Sequence, residues 1–304
     1  MASAEAERFA AMLRAAPRMV EMDLPAQRAA GEHAEDLTVE PAGVTYEQVA
    51  ADAAAGLWAT PPDVVADRAV LYVFGGGHVI TSVHARRKFG GHLARATRAR
   101  VLVLDYPLAP EHPYPADVEA VAAGYRWLLA QGYPPTGIAL AGESSAGGTV
   151  LSALLDLGGA PRHAAAYLMS PWADLTCSGQ SFVRCRDVDL ECTRESLLRM
   201  AGQYLAGHDP ADSAVFPVFA DAAVLARCLP PVLVQVGGHE VLLDDAVAVV
   251  RAAGLAGVPS VLEIWPGMQH FFQLGIGVYP EASDALHRAG AWLAGHFGAV
   301  AVRA

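Results

Sequence analysis

The sequence is poor in cysteine and has no apolar run long enough to cross a membrane, and each shortage narrows what the chain can be. Its four cysteines, Cys177, Cys185, Cys192 and Cys228, show no Cys-x-x-Cys spacing, and the first three stand in no zinc-like pattern with histidines. They read as ordinary reduced thiols, and no metal site is expected. Positive charge is scarce as well: 21 Lys and Arg face 32 Asp and Glu, and the net charge of −11 argues against nucleic acid or an anionic membrane as partner. Glu5, Glu7 and Arg8 interrupt the apolar centre that a signal peptide would need, so a cytoplasmic protein is expected. No internal repeat, low-complexity linker or long charge run marks a domain boundary.

What the chain does have is apolar bulk. With 53% hydrophobic residues among 304, it can bury about three quarters of its unfolded surface in one large domain. Residues 3 to 22 carry Phe9, Met12, Leu13 and Val20 among charges, which predicts an amphipathic helix with no strand partner nearby. From Val44 the pattern alternates. Strands are predicted at 44–49, 56–60, 70–74, 101–106, 138–140, 165–169, 231–236 and 261–265, and helices at about 84–98, from Pro115 to Gly132, after residue 144, at 246–253 and around Leu286, Ala289, Leu293 and Phe297. Apolar strands alternating with helices imply an α/β fold with a mostly parallel sheet covered on both faces. Between Trp172 and Leu229 the alternation fails, and Leu197, Leu198, Met200, Tyr204 and Leu205 form a helical pattern without a strand. The expected organisation is therefore a cap segment at 1–43, a core at 44–304, and a second cap insertion at 177–215.

The chemistry concentrates where Ile138-Ala139-Leu140 runs into Ala141-Gly142-Glu143-Ser144-Ser145-Ala146-Gly147-Gly148. A strand meeting a serine and then small residues that open a helix is the layout of a nucleophile elbow, a turn tight enough to lift a hydroxyl above the sheet edge. Upstream, Gly75-Gly76-Gly77 ends a strand with bare backbone that can offer N–H groups to an oxyanion. Downstream, Glu240 ends one buried strand and His270 follows the next. Serine, acid, histidine is the chain order of an α/β-hydrolase triad. A serine in such a turn could instead cap the helix or hold a phosphate, but nothing after it resembles a Lys-Ser/Thr phosphate loop.

These segments resemble the hormone-sensitive-lipase-type branch of the α/β-hydrolases, which includes bacterial esterases and lactone hydrolases. The likeness covers roughly residues 45 to 298 and rests on Asp105-Tyr106-Pro107-Leu108-Ala109-Pro110-Glu111-His112-Pro113-Tyr114-Pro115-Ala116, on Ser170-Pro171-Trp172-Ala173-Asp174-Leu175-Thr176, and on the neighbourhoods of Glu240 and His270. It implies an α/β-hydrolase fold with a small helical cap and an ester- or lactone-cleaving serine hydrolase that needs no cofactor. A homodimer pairing through an edge strand is also implied. Three departures stand out. The family's His-Gly-Gly-Gly-Phe appears as Phe74-Gly75-Gly76-Gly77-His78, with aromatic and imidazole exchanged. Its Gly-Asp-Ser-Ala-Gly-Gly has become Gly-Glu-Ser-Ser-Ala-Gly-Gly, so Ser144 is favoured as nucleophile and Ser145 is the alternative. The acid is Glu240 where aspartate is common, while Asp244 and Asp245 look like first-turn acids of the next helix. Separately from these three, Pro107 stands where arginine is common, which removes one possible buried ion pair.

The expected roles follow. Ser144 attacks, His270 takes its proton, Glu240 orients His270, and the amides of Gly75, Gly76, Gly77 and Ser145 form the oxyanion hole. His78 and Trp172 are candidate substrate contacts. The altered elbow and glycine loop leave open a repurposed relative performing elimination, lactonisation or acyl transfer on a specialised metabolite, or a ligand-binding relative without catalysis.

Overall fold

The computed structural model describes residues 2–16, 19, 22–159, 163–215 and 217–298. Val20 lies outside them. Eight strands, β1 (Thr45–Val49), β2 (Gly56–Thr60), β3 (Ala69–Val73), β4 (Arg100–Leu104), β5 (Ile138–Glu143), β6 (Ala166–Met169), β7 (Val232–Gly237) and β8 (Ser260–Trp265), form one sheet in the order β1-β2-β4-β3-β5-β6-β7-β8. Only the pairs β1–β2 and β2–β4 are antiparallel; from β4 to β8 the strands are parallel. Every residue of β3, β5 and β7 is buried, as central parallel strands require. β1 and β8 depart from that pattern and are half exposed, because each is an edge.

The helices are α1 (Ala4–Ala15), α2 (Leu24–Gly31), α3 (Arg87–Thr97), α4 (Ala116–Ala130), α5 (Ser145–Asp156), α6 (Ser181–Arg184), α7 (Arg194–Leu205), α8 (Ala222–Cys228), α9 (Leu243–Leu255) and α10 (Pro280–Ala294). Alternation along β3 and β4 sorts them. Gly90 of α3 lies against Val103, while Gly124 of α4 lies against Leu104 and Leu71, so the two helices cover opposite faces. α10 joins α3 through Gly290, where a Cβ would collide with the backbone of Ala96. α5, α8 and α9 join α4 on the other face.

The N-terminal segment is not the single helix that its pattern predicts. α1 stops at Ala15 because Ala16, extended at φ −75° and ψ 152°, precedes Pro17, whose ring disfavours helical backbone before it. α2 and a 3₁₀ turn at Glu32–Leu37 complete the segment. α3 starts three residues later than expected, and α9 starts earlier, which places Asp244 and Asp245 in its first turn as predicted. Phe297 is buried but lies beyond the end of α10.

The segment before β1 and the segment around α6 and α7 both lie at the carboxyl ends of the parallel strands. The first is tied there by Arg28, whose guanidinium donates to the carbonyls of Val79 (2.9 Å) and Ala109 (3.0 Å) and to both Glu111 oxygens (2.8 and 2.7 Å). The second is capped at α7 by a reciprocal Thr193–Ser196 box and anchored by Tyr204, whose hydroxyl donates to Asp117 Oδ1 at 2.8 Å. Asp245 accepts the amides of Ala173 and Asp174, each at 2.8 Å, and Asp244 accepts that of Ser181 at 2.9 Å. The first-turn acids of α9 thus hold the start of the second segment.

Candidate active site

β5 ends at Glu143, and α5 begins at Ser145. The one residue between them, Ser144, turns the chain at φ +53° and ψ −127°. A side chain in this region costs energy and persists only where the surroundings enforce it. The enforcement is visible: the Ser144 amide donates to Met169 O (2.9 Å), and the amides of Trp172 (2.8 Å) and Gly147 (2.9 Å) donate to its carbonyl. Two glycines make room for the turn. A Cβ at Gly142 would sit 2.5 Å from Ala146 O, and one at Gly75 would sit 2.7 Å from the Ser144 Cβ.

The two elbow serines are placed differently. Ser144 lines a cavity of about 350 Å³. Ser145 is fully buried, and its hydroxyl accepts the His78 amide at 3.1 Å. As the first residue of α5, Ser145 has a backbone N–H without an intrahelical acceptor.

His270 lines the same cavity and turns Nδ1 to Glu240 Oε2 at 2.9 Å, which leaves Nε2 for the cavity side. Glu240, in the loop three residues beyond β7, is wholly buried. Its other oxygen accepts the Ser170 hydroxyl (2.7 Å) and the Gly237 amide. Ser170 also accepts the Phe271 amide at 3.1 Å, so one hydroxyl fixes both the acid and the chain beside the histidine. Burial opposes the charge of His270, but the hydrogen bond and charge of Glu240, with the charges of Glu191 and Asp189, outweigh it and raise the imidazole to about 9. Burial pushes Glu240 upward, against the pull of His270, Ser170 and Gly237.

The glycine loop differs from its expected role at one position. Gly76 and Gly77 line the cavity with left-handed backbone, φ +116° and +62°. The Gly75 amide instead donates to Glu143 Oε1 at 3.1 Å and is not among the cavity-lining residues. It is already spent on a buried carboxylate. The Cβ of any larger residue at Gly77 would run into Met200, so α7 rests directly on this loop.

His78 and Trp172 do not reach the cavity, contrary to their expected part as substrate contacts. The turn through Gly76 and Gly77 carries His78 behind the loop, where its Nδ1 meets Asp117 Oδ2 at 3.1 Å and its ring stacks on Tyr204 at 3.6 Å and 7°. Its Nε2 has no hydrogen-bond partner among the described residues. Trp172 is fully buried and donates Nε1 to Asp174 O at 3.1 Å. Asp117 gathers His78, the Thr149 hydroxyl (2.7 Å) and Tyr204. Burial disfavours its charge, yet these donors hold it below the ordinary carboxylate range.

Sequence reasoning also missed Arg86, Glu143 and Ser170 as site builders. Arg86 Nε donates to Glu143 Oε1 at 2.6 Å, the Tyr72 hydroxyl donates to Oε2 at 2.9 Å, and the guanidinium lies 5.4 Å from the Phe271 ring. A buried ion pair is therefore present beneath the elbow, although Pro107 cannot supply it. Arg86 carried no signal, since its partner lies 57 residues away. Ser170 had one: it opens the second family-like segment. Among the described residues no His, Cys, Asp or Glu group could hold a metal, and no helix is long and apolar enough to cross a membrane. The four cysteines are unpaired.

Residues 70–274 match the family described as the alpha/beta hydrolase fold. An acetyl-hydrolase of Streptomyces hygroscopicus is 39% identical over 278 residues, covering 86% of this chain and 91% of that protein. An esterase of Acinetobacter venetianus is 34% identical over 248 residues, covering 81% and 77%. Among solved structures, an esterase of the bacterial hormone-sensitive lipase family superposes with a TM-score of 0.91 at 38% identity, covering 98% of this chain and 100% of that one. The chain belongs to the α/β-hydrolase family, in its hormone-sensitive-lipase-type branch of bacterial esterases. It is a carboxylic ester hydrolase.

The ion pair under the elbow can be tested by a mutant cycle. Arg86→Met strands a buried carboxylate and is expected to lower stability by roughly 3–5 kcal/mol, whereas Arg86→Met with Glu143→Gln recovers much of the loss. Urea denaturation of the four proteins checks this; equal losses in the single and double variants would count against it.

Proposed function

We propose that Ser144 is the nucleophile of an acyl-enzyme mechanism, with His270 as its base and Glu240 as the group that orients His270. The observation that carries this reading is that Ser144, strained at the elbow, and His270, held by Glu240, line one cavity. The neutral imidazole takes the Ser144 proton as the oxygen adds to the ester carbonyl. The amides of Gly76, Gly77 and Ser145 receive the developing oxyanion. The imidazolium then protonates the leaving alcohol, and water repeats the sequence on the acyl group. Glu240 stabilises the imidazolium throughout and accepts no proton.

The cavity walls suggest the substrate's size and character. Phe9, Leu13, Met19 and Leu37 come from the N-terminal segment and Leu190, Leu197 and Met200 from the second, so the two act as a cap that supplies apolar contact around a modest ester or lactone. The same reading places the enzyme in the cytoplasm, where its four free thiols stay reduced. It also pairs two copies along the free edge of β8, where Val261 and Ile264 are 39% and 47% exposed.

Three outcomes are expected. A fluorophosphonate probe labels the protein and Ser145→Ala, but not Ser144→Ala, and Ser144→Ala loses turnover of p-nitrophenyl butyrate; labelling that persists in Ser144→Ala rejects the assignment. Because negative neighbours favour the imidazolium and catalysis needs the neutral ring, kcat/KM climbs about tenfold per pH unit below the His270 value, levelling near 9. A profile already flat at pH 6.5 contradicts this. Sedimentation equilibrium finds a dimer that Ile264→Lys dissociates, and a monomeric parent protein would remove the edge pairing.

A further inference from the structure

Two acidic residues that the proposed mechanism does not use line the cavity: Glu143, which is paired with Arg86, and Glu191. Glu191 sits in the loop between α6 and α7, lines the cavity with Ser144 and His270, and is exposed within it. Among the described residues its carboxylate has no hydrogen-bond or ion-pair partner. The cavity it lines has largely apolar walls, among them Leu190, Leu197, Met200, Leu274 and Phe272, with Arg86, Ser196 and Gln269 as polar members.

Three hydrogen bonds fasten the loop to the residues beside the proposed acid and base, and two more brace it internally. Asp189 Oδ1 accepts the amides of Glu191 (2.9 Å) and Cys192 (2.8 Å), and its Oδ2 accepts that of Val241 (2.8 Å), the neighbour of Glu240. Gln269, the neighbour of His270, accepts the Leu190 amide (3.0 Å) and donates to Val188 O (3.1 Å). The backbone that carries Glu191 is therefore held in fixed relation to the reacting groups.

The local charges do not balance. Arg86 is taken by Glu143, and Glu240 serves His270. When His270 is neutral, as attack by Ser144 demands, Glu191 and Asp189 are left without a cation. Glu191 meets solvent through the cavity, yet partial desolvation by the surrounding protein lifts its carboxyl to about 7, with Asp189 and Glu240 adding to the rise and His270 and Arg86 opposing it. A cation brought in with the substrate would complete the balance and also weaken the hold of these charges on the His270 proton.

We propose that Glu191 is a recognition site for a substrate ammonium group, and that the preferred substrates are small esters carrying a positive charge a few bonds from the scissile carbonyl. The inference rests on the ester-hydrolase reading and deepens it. The apolar walls fit the carbon skeleton of such an ester, while Glu191 supplies the polar selection that those walls lack.

Two matched pairs test it in a pH-stat at pH 8: acetylcholine against its neutral isostere 3,3-dimethylbutyl acetate, and ethyl 4-aminobutanoate against ethyl pentanoate. The first pair carries the charge on the alcohol side and the second on the acyl side. In at least one pair the unmodified enzyme prefers the cationic ester in kcat/KM, and Glu191→Gln cuts that preference by about tenfold or more, chiefly through KM. Glu191→Lys goes further and reverses it, favouring monoethyl succinate over both members of the second pair, which a merely structural residue would not do. Absence of any cationic preference in both pairs, or a preference unchanged in both variants while neutral esters are hydrolysed and the fluorophosphonate labels Ser144, overturns the Glu191 assignment alone. An enzyme that neither hydrolyses the neutral esters nor reacts with the probe overturns the hydrolase reading and this inference with it.

Discussion

The left-handed backbone at Ser144 is the constraint around which the rest of the molecule is arranged. Holding a non-glycine residue there costs about 1–3 kcal/mol, and the cost recurs whenever the chain folds. Three backbone hydrogen bonds, from β6, from the loop after it and from α5, converge on this one residue. Gly142 and Gly75 are needed because any Cβ at either would strike the turn. The strain keeps the side chain at the mouth of the parallel strands, where the carboxyl ends of β3, β5, β7 and β8 meet.

Buried carboxylates fix the surroundings of that turn by gathering donors from segments remote in the chain. Glu143 joins Tyr72, Gly75 and Arg86; Asp117 joins His78, Thr149 and Tyr204; Glu240 joins His270, Ser170 and Gly237. Each acceptor would be expensive to bury unpaired, and each is satisfied only when the elements carrying its donors are correctly docked. Asp117 is the most far-reaching of the three. Through it α7, the residue after the glycine loop and the helix behind the elbow share one buried charge, so displacement of α7 would be felt at the glycine loop.

Much of this was legible from local pattern. The strands announced themselves as apolar runs, the elbow as a serine among small residues, and Glu240 and His270 by their places after successive strands. Less legible were the features that depend on where a side chain points. His78 looked like a substrate contact because it follows the glycines directly, but the positive φ values of Gly76, Gly77 and His78 itself carry it behind them. Gly75 looked like an oxyanion donor until Glu143, a residue on a neighbouring strand, claimed its amide. The N-terminal segment looked like one helix, and Pro17 divided it.

The order of strands and helices, the elbow, and the chain order of serine, acid and histidine were determined by the sequence alone, because hydrophobic period and turn chemistry act between residues close in the chain. Which of two adjacent serines faces the cavity, the engagement of the Gly75 amide by Glu143, the pairing of Arg86 with Glu143, and the place of Glu191 in the cavity wall were decided only by tertiary structure. Those outcomes depend on burial and on hydrogen bonds between distant segments, and neither exists until the sheet has brought the segments together.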